Sequence, residues 1–334
     1  MRFIRAAGLA CLGACASHPE TPAPQASDSF SHDCLISVQE DGGALAQVDL
    51  ATGVQKLTPI GLMPHEVEIS RNSVFAYVSQ FGLRDANHSV GVPGDHITEV
   101  NLISGATRTF TLPAGATGPH GVRLHNDELF TNAEVGDQMV VFDAGTGAVK
   151  RSFAIPALVH HFLFSREGDI IAFAAANGVY KLDAQDGHVI AHADIGSPAR
   201  SVFLTHGGSE VLVAARGEVV FLNVSDLSVA RRVPVSGVTQ IIYATIDERA
   251  GLIFAPAPAE NVVVALDLAT GAERARITPG RTPTMAIPGP DGRVYIPAVG
   301  ETYITAVDTS TFATTQIGTF QRPNGLAFGS CPQN

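Results

Sequence analysis

A ring of seven four-stranded sheets, all-β throughout, is the fold this sequence predicts. Three features point to it: a short motif that recurs seven times, a second motif that travels with it, and two cysteines where such a ring must close. Composition agrees. Apolar residues make up 45% of the chain and charged ones only 16%, while 33 Gly and 20 Pro punctuate it. Many short strands joined by tight turns read this way; long solvated helices do not.

The first motif is VDLATG at Val48. It recurs as VNLISG at Val100, FDAGTG at Phe142, LDAQDG at Leu182, LNVSDL at Leu222, LDLATG at Leu266 and VDTSTF at Val307. Each copy is a strand running into a polar turn, and each leads to another alternating run such as VQKLTPI or AERARIT. The second motif reads PHEVEIS, PHGVRLH, VHHFLFS, ARSVFLT, TQIIYAT, PTMAIPG and PNGLAFG. A turn and a third strand follow it, as in FAYVSQ, IAFAAA and GRVYIPA. Four strands per unit and seven units predict a seven-bladed β-propeller.

The PHxV strand is A, the YVSQ strand B, the VDLATG strand C and the next one D. The last blade then takes strand A from the C-terminus, PNGLAFG, and strands B to D from the N-terminus, beginning CLISVQE. Other blades join A to B by a turn such as PGPDGR; here the chain is cut. Cys331 lies just past strand A and Cys34 opens strand B. A disulfide between them would stand in for the missing turn, and it suits an oxidising compartment. Two free thiols are the alternative, and a metal pair would lack partner ligands nearby in sequence.

This succession of VDLATG, PHxV and YVSQ strands resembles the YVTN-repeat propellers, which are related to the lactonase-like and the nitrous-oxide-reductase N-terminal-like propellers. The resemblance covers roughly residues 34–330. It implies the fold and no single activity, because the same blade serves enzymes and scaffolds alike.

Residues 1–14 read as a secretory signal peptide: MRFIR carries two positive charges and AAGLACLGA is a short apolar core. The ending LGAC resembles a bacterial lipobox, which implies lipidation at Cys15; ordinary signal cleavage with an incidental cysteine is the alternative. Ala16 in place of Asp favours the outer membrane in that resemblance. Residues 15–33 hold one large apolar residue, Phe30, and three prolines, and are expected to be a flexible tether. Elsewhere no apolar run is long enough to span a bilayer. The 21 Lys and Arg against 32 Asp and Glu, with no basic run, make nucleic acid a poor partner. The expected state is a monomer on the periplasmic side of the envelope.

In a propeller the start of strand A and the end of strand B share one face, and strand A lines the axial channel. The position equivalent to the Pro-His histidine reads His65, His120, His160, Arg200, Gln240, Thr284 and Asn324 around the ring. All seven are polar, which fits a wet ligand site. His65, His120 and His160 are candidate ligands for one divalent transition metal with an open position. Sheets packed about 10 Å apart would put blades one and three roughly 18 Å apart, near the limit of two histidine–metal arms. Metal-free binding and plain repeat grammar remain the other readings of these histidines.

The blade-one B–C loop, FGLRDANHSVGVPGDH, is expanded and carries Arg84, Asp85, His88, Asp95 and His96 on the same face. Arg84 and His96 are candidate ligand contacts, and the loop is placed to cover the channel. Strand B of blade two ends FTNAE, which sets Glu134 beside His120 as a candidate general base or imidazole-orienting carboxylate. His161 is expected to point away from His160. No nucleophile elbow, phosphate loop or zinc-protease helix occurs. The sequence therefore predicts an envelope propeller binding a small or peptide-like ligand at its upper face through a His-held metal. The rivals are a metal-assisted lyase or hydrolase of lactones or uronates at the same site, and a non-catalytic envelope scaffold.

Overall fold

Each VDLATG-type motif closes its C–D hairpin with the same backbone bond, as from the Gly53 amide to the Asp49 carbonyl, and most add a side-chain cap. Asp49 Oδ1 accepts the amides of Ala51 and Thr52 at 2.8 and 2.9 Å, and Gly53 takes the left-handed conformation that follows (φ 74°). Asp143, Asp267 and Asp308 repeat this turn. In two blades the glycine is replaced and Leu227 and Phe312 adopt the left-handed conformation instead, both at φ 59°.

The computed structural model describes residues 30–61, 63–84, 88–174 and 178–332. Its strands, numbered β1 to β28 in chain order, form seven four-stranded antiparallel sheets. Blade one comprises β4 (Pro64–Ile69), β5 (Phe75–Gln80), β6 (His96–Asn101) and β7 (Thr107–Thr111). The innermost strands of blades two to six are β8 (Pro119–His125), β12 (Val159–Phe164), β16 (Ser201–Leu204), β20 (Thr245–Asp247) and β24 (Ile287–Pro288). Blade seven joins β28 (Pro323–Pro332) to β1 (Phe30–Gln39), β2 (Ala44–Asp49) and β3 (Gln55–Pro59) in that order. The chain is a seven-bladed β-propeller. Among the described residues seven apolar clusters form the core, one in each gap between neighbouring blades.

Cys34 and Cys331 are bonded, with their Cα atoms 4.9 Å apart across 297 residues. In the chain-entropy account, closing a loop of that length contributes on the order of 5 kcal/mol. The first strand begins at Phe30, so the expected tether ends four residues earlier than Cys34 suggests: His32 and Asp33 already pair with Cys331 and Ser330. Cys15, the expected signal peptide and the tether up to residue 29 lie outside the described residues, as does Asp85.

Strand A is not uniform around the ring. It is full length in blades one to three and seven, and shrinks to three residues in β20 and two in β24. His65, His120, His160 and Asn324 therefore sit inside strands, whereas Arg200, Gln240 and Thr284 precede theirs.

Candidate metal and ligand site at the channel mouth

The Pro-His motif makes a β-bulge. Register shifts fall between Pro64 and Val67, between Pro119 and Val122, and between Val159 and His161, so each histidine sits in or beside an extra residue of its inner strand. A bulge re-aims side chains that regular alternation would send into a blade gap. Strand B fixes the irregular backbone. Ser79 Oγ accepts the Glu66 amide at 2.9 Å, and Asn132 Oδ1 accepts the Gly121 amide at 2.8 Å. In blade seven Ser37 Oγ donates to the Asn324 carbonyl at 2.8 Å. Gly325 lets that strand approach blade one, because a Cβ there would lie 2.2 Å from the His65 carbonyl oxygen.

The three imidazoles form one continuous row of tilted rings. Ring centroids of His65 and His120 are 4.3 Å apart and those of His120 and His160 3.7 Å, with Phe81 against the first two at 5.2 and 4.8 Å. The roughly 18 Å separation taken from average sheet packing is therefore too large, because the inner strands converge at their bulges. The atoms that meet are not those of the three histidines alone. Ligand atoms of His120, His160 and Glu134 lie within 4.8 Å of one another. His65 turns Nδ1 to Glu40 Oε1 at 3.0 Å instead.

Glu134 stands between two histidines, Oε2 at 2.9 Å from His160 Nδ1 and Oε1 at 3.0 Å from His88 Nε2. Burial favours its neutral form, but His160 and the hydrogen bond from His88 outweigh this and hold its pKa at about 2. An ionised carboxylate of that kind accepts hydrogen bonds or a cation well and is a weak proton acceptor. His120 is fully buried, and neither ring nitrogen has a hydrogen-bond partner among the described residues. Its Nδ1 is 3.4 Å from Glu66 Oε1, but burial, then His160 and His65, push its pKa well below the ordinary value, so the ring is neutral and the contact is no ion pair. His65 goes the other way. Burial opposes its charge, yet the hydrogen bond and charge of Glu40 prevail and raise its pKa. Asn324 Nδ2 donates to Glu40 Oε1 at 2.6 Å, and Arg322 binds the other oxygen.

His65, His120, His160, Glu40, Arg322 and Asn324 line an upper chamber of about 340 Å³, with a polar septum of axial side chains below them. Tyr243 donates its hydroxyl to Glu66 Oε1 at 3.0 Å, and Arg123 Nη1 meets Glu66 Oε2 at 3.1 Å. Arg123 also contacts His161 Nε2. Burial alone disfavours ionised Glu66, but Arg123 and the Tyr243 hydroxyl lower its pKa, while burial and then Glu66 raise that of Tyr243 well above its ordinary value. Burial holds His161 down at about 3. Tyr243 reaches the axis because the segment before β20 leaves the strand path, at a cost in backbone conformation (φ 40°).

The sequence-derived residues divide accordingly. His65, His120, His160, Thr284, Asn324 and Arg84 line the upper chamber, and Glu134 is joined to it through His160. Arg84 pairs with Asp41, so the blade-one loop bridges to blade seven, while His88 carries it to Glu134. Arg200 and Gln240 are half-buried and line neither chamber; Gln240 bonds the Ile241 carbonyl at 3.0 Å. His96 pairs with its neighbour Asp95 at 2.8 Å and also stays outside. His161 does point away from His160, into the lower channel. Sequence reasoning missed Glu40, Glu66, Arg123, Tyr243 and Arg322. For Glu66 and Arg123 a signal existed: a charged residue inside an innermost strand has no solvent to face.

Set beside known proteins, a family model described as outer membrane protein assembly factor BamB matches residues 93–249, from the blade-one loop to the start of blade five. No curated protein matches the chain in sequence. Among solved structures, a candidate 6-phosphogluconolactonase from Bacteroides fragilis NCTC 9343 superposes with a TM-score of 0.71 at 13% identity, covering 92% of this chain and 100% of that one. Virginiamycin B lyase from Staphylococcus aureus superposes at 0.66 and 13% identity, covering 90% and 96%. A catalytically inactive variant of that lyase, solved with quinupristin, gives 0.65 at 14%, again over 90% and 96%. The likeness is one of fold.

Proposed function

We propose that this protein is a lipid-anchored envelope propeller that binds a small or peptide-like ligand in its upper chamber, through a divalent metal held by His120, His160 and Glu134. The observation that carries this is His120: a fully buried imidazole with both nitrogens unpartnered, set against a second imidazole and an ionised carboxylate. A buried polar group without a partner is costly. Two imidazoles and one carboxylate form a donor set suited to borderline divalent metals with an open position. The chemistry such an ion supplies is polarisation of a ligand oxygen. The neutral His120 and ionised Glu134 need shed no proton to ligate. His88 fixes the far oxygen of Glu134, and Glu40, bonded by Arg322 and Asn324, orients His65 beside His120. The BamB description and the disulfide support an envelope location.

A metal-assisted lyase or hydrolase is the second reading of the same site, favoured by the lyase and the candidate lactonase among the structural neighbours. Metal analysis of the purified propeller, followed by titration with Zn²⁺ and Mn²⁺, tests the shared premise. One equivalent per chain, lost in H120A and E134Q, supports it; no uptake tighter than millimolar by the wild type overturns it. Turnover of lactone or uronate substrates by the loaded protein then separates the two readings.

A further inference from the structure

Below the septum the axial channel continues as a second chamber of about 310 Å³. That is the low end of the roughly 300–1,000 Å³ typical of small-molecule sites. All seven blades contribute to it, and its walls are largely apolar, with Leu163, Phe203, Leu204, Met285, Ile287 and Leu326 facing in. Polar side chains are confined to the septum overhead and to Ser201 and Thr245 on the wall. Thr245 is already satisfied, since its hydroxyl donates to the Ala286 carbonyl.

Two of these polar groups have unmet atoms. His161 Nε2 contacts the Arg123 guanidinium, which has only N–H bonds to give. Nε2 is therefore the acceptor and Nδ1 carries the ring proton, yet Nδ1 has no partner among the described residues. The Ser201 hydroxyl, on the next inner strand, is likewise unpartnered. Both residues are deeply buried, His161 6% and Ser201 1% exposed. Both atoms are closed off from solvent-sized space, so neither opens onto the chamber, and the wall a guest meets is apolar. Charge narrows the choice further. Glu66 and Arg123 neutralise one another at 3.1 Å, and no other charged residue lines the chamber, so an entering ion would find no counter-charge.

We infer that the lower chamber binds a compact, neutral, largely apolar molecule, held by contact with Leu163, Phe203, Leu204, Met285, Ile287 and Leu326. This site stands apart from the upper chamber and does not depend on a metal there.

Titration of the purified propeller with Prodan, a neutral aromatic ketone whose emission moves to the blue in apolar surroundings, tests it beside the anionic probe 1-anilinonaphthalene-8-sulfonate. One Prodan should bind per chain, at least tenfold more tightly than the sulfonate. I287W fills the chamber from a half-buried wall position and should weaken Prodan at least tenfold while the melting transition persists. L204F gives the same readout from a second wall position should I287W not fold. Wild-type protein that binds no Prodan, a folded filled variant that binds it unchanged, or a sulfonate bound as tightly overturns the inference.

Discussion

Glu66 and Tyr243 are 177 residues apart in the chain and meet across the axis, hydroxyl to carboxylate, at 3.0 Å. Blades one and five are not neighbours in the ring, so this bond ties the ring directly across its axis.

Tyr243→Phe should therefore weaken the whole ring and not one blade. Removing the hydroxyl leaves a buried carboxylate oxygen short of a donor, at a cost of roughly 1–3 kcal/mol. Urea denaturation of Y243F, E66Q and the double variant checks this. The double variant should cost clearly less than the two singles summed, because both act on one bond; additive costs would show the two residues to be independent.

The His88–Glu134 bond predicts a positioning role. His88 holds the carboxylate oxygen remote from His160, so H88A should lower metal affinity roughly 10–100-fold, as losses in the outer shell of metal sites do. H96A, whose ring pairs with Asp95 outside the chamber, should leave the titration unchanged. Equal effects of the two changes would point to a general loss of fold.

Acid should destabilise the fold in a defined window. His161 is held at about 3 against an ordinary 6.5, and Glu134 at about 2 against 4.5. In both cases the unfolded chain binds a proton that the folded chain refuses, so stability falls as pH falls. The loss begins below 6.5 through His161, steepens below 4.5 through Glu134, and is complete near 2. Denaturation midpoints measured from pH 8 to pH 3 check the sign. In E134Q the part of the loss below 4.5 should be smaller; a midpoint that rises on acidification contradicts the assignment.

Reduction should open the ring at blade seven. Cys34→Ser removes the covalent link and leaves only the β1–β28 hydrogen bonds. A loss of roughly 2–5 kcal/mol is expected, measured against wild type in the absence of reductant. Non-reducing peptide mapping of the wild type should recover Cys34 joined to Cys331, and free thiols there would remove the basis of the prediction.

The blades were legible because their signals are local. An Asx turn at Asp49 or Asp267 needs only four residues to declare itself, and the PHxV strands carry their own period. The closure at Cys34 and Cys331 followed from counting strands. The site was half legible: the blade positions of His65, His120 and His160 could be read, and so could Glu134 at the end of its strand. What could not be read was how far bulges at Pro64–Val67 and Pro119–Val122 draw the inner strands together, because a bulge depends on a side chain from another strand, Ser79 or Asn132. Tyr243 was hidden for a related reason. It reaches the axis only because its segment abandons the strand path, so counting from the motif placed Gln240 there instead.

The septum also bears on how the two chambers sense one another. Glu66, Arg123, His161 and Tyr243 are linked to each other, so a change of charge or position at one is felt by the rest. Glu66 and Tyr243 border both chambers. A guest that displaces either side chain from below would change the polar surface met by a guest above.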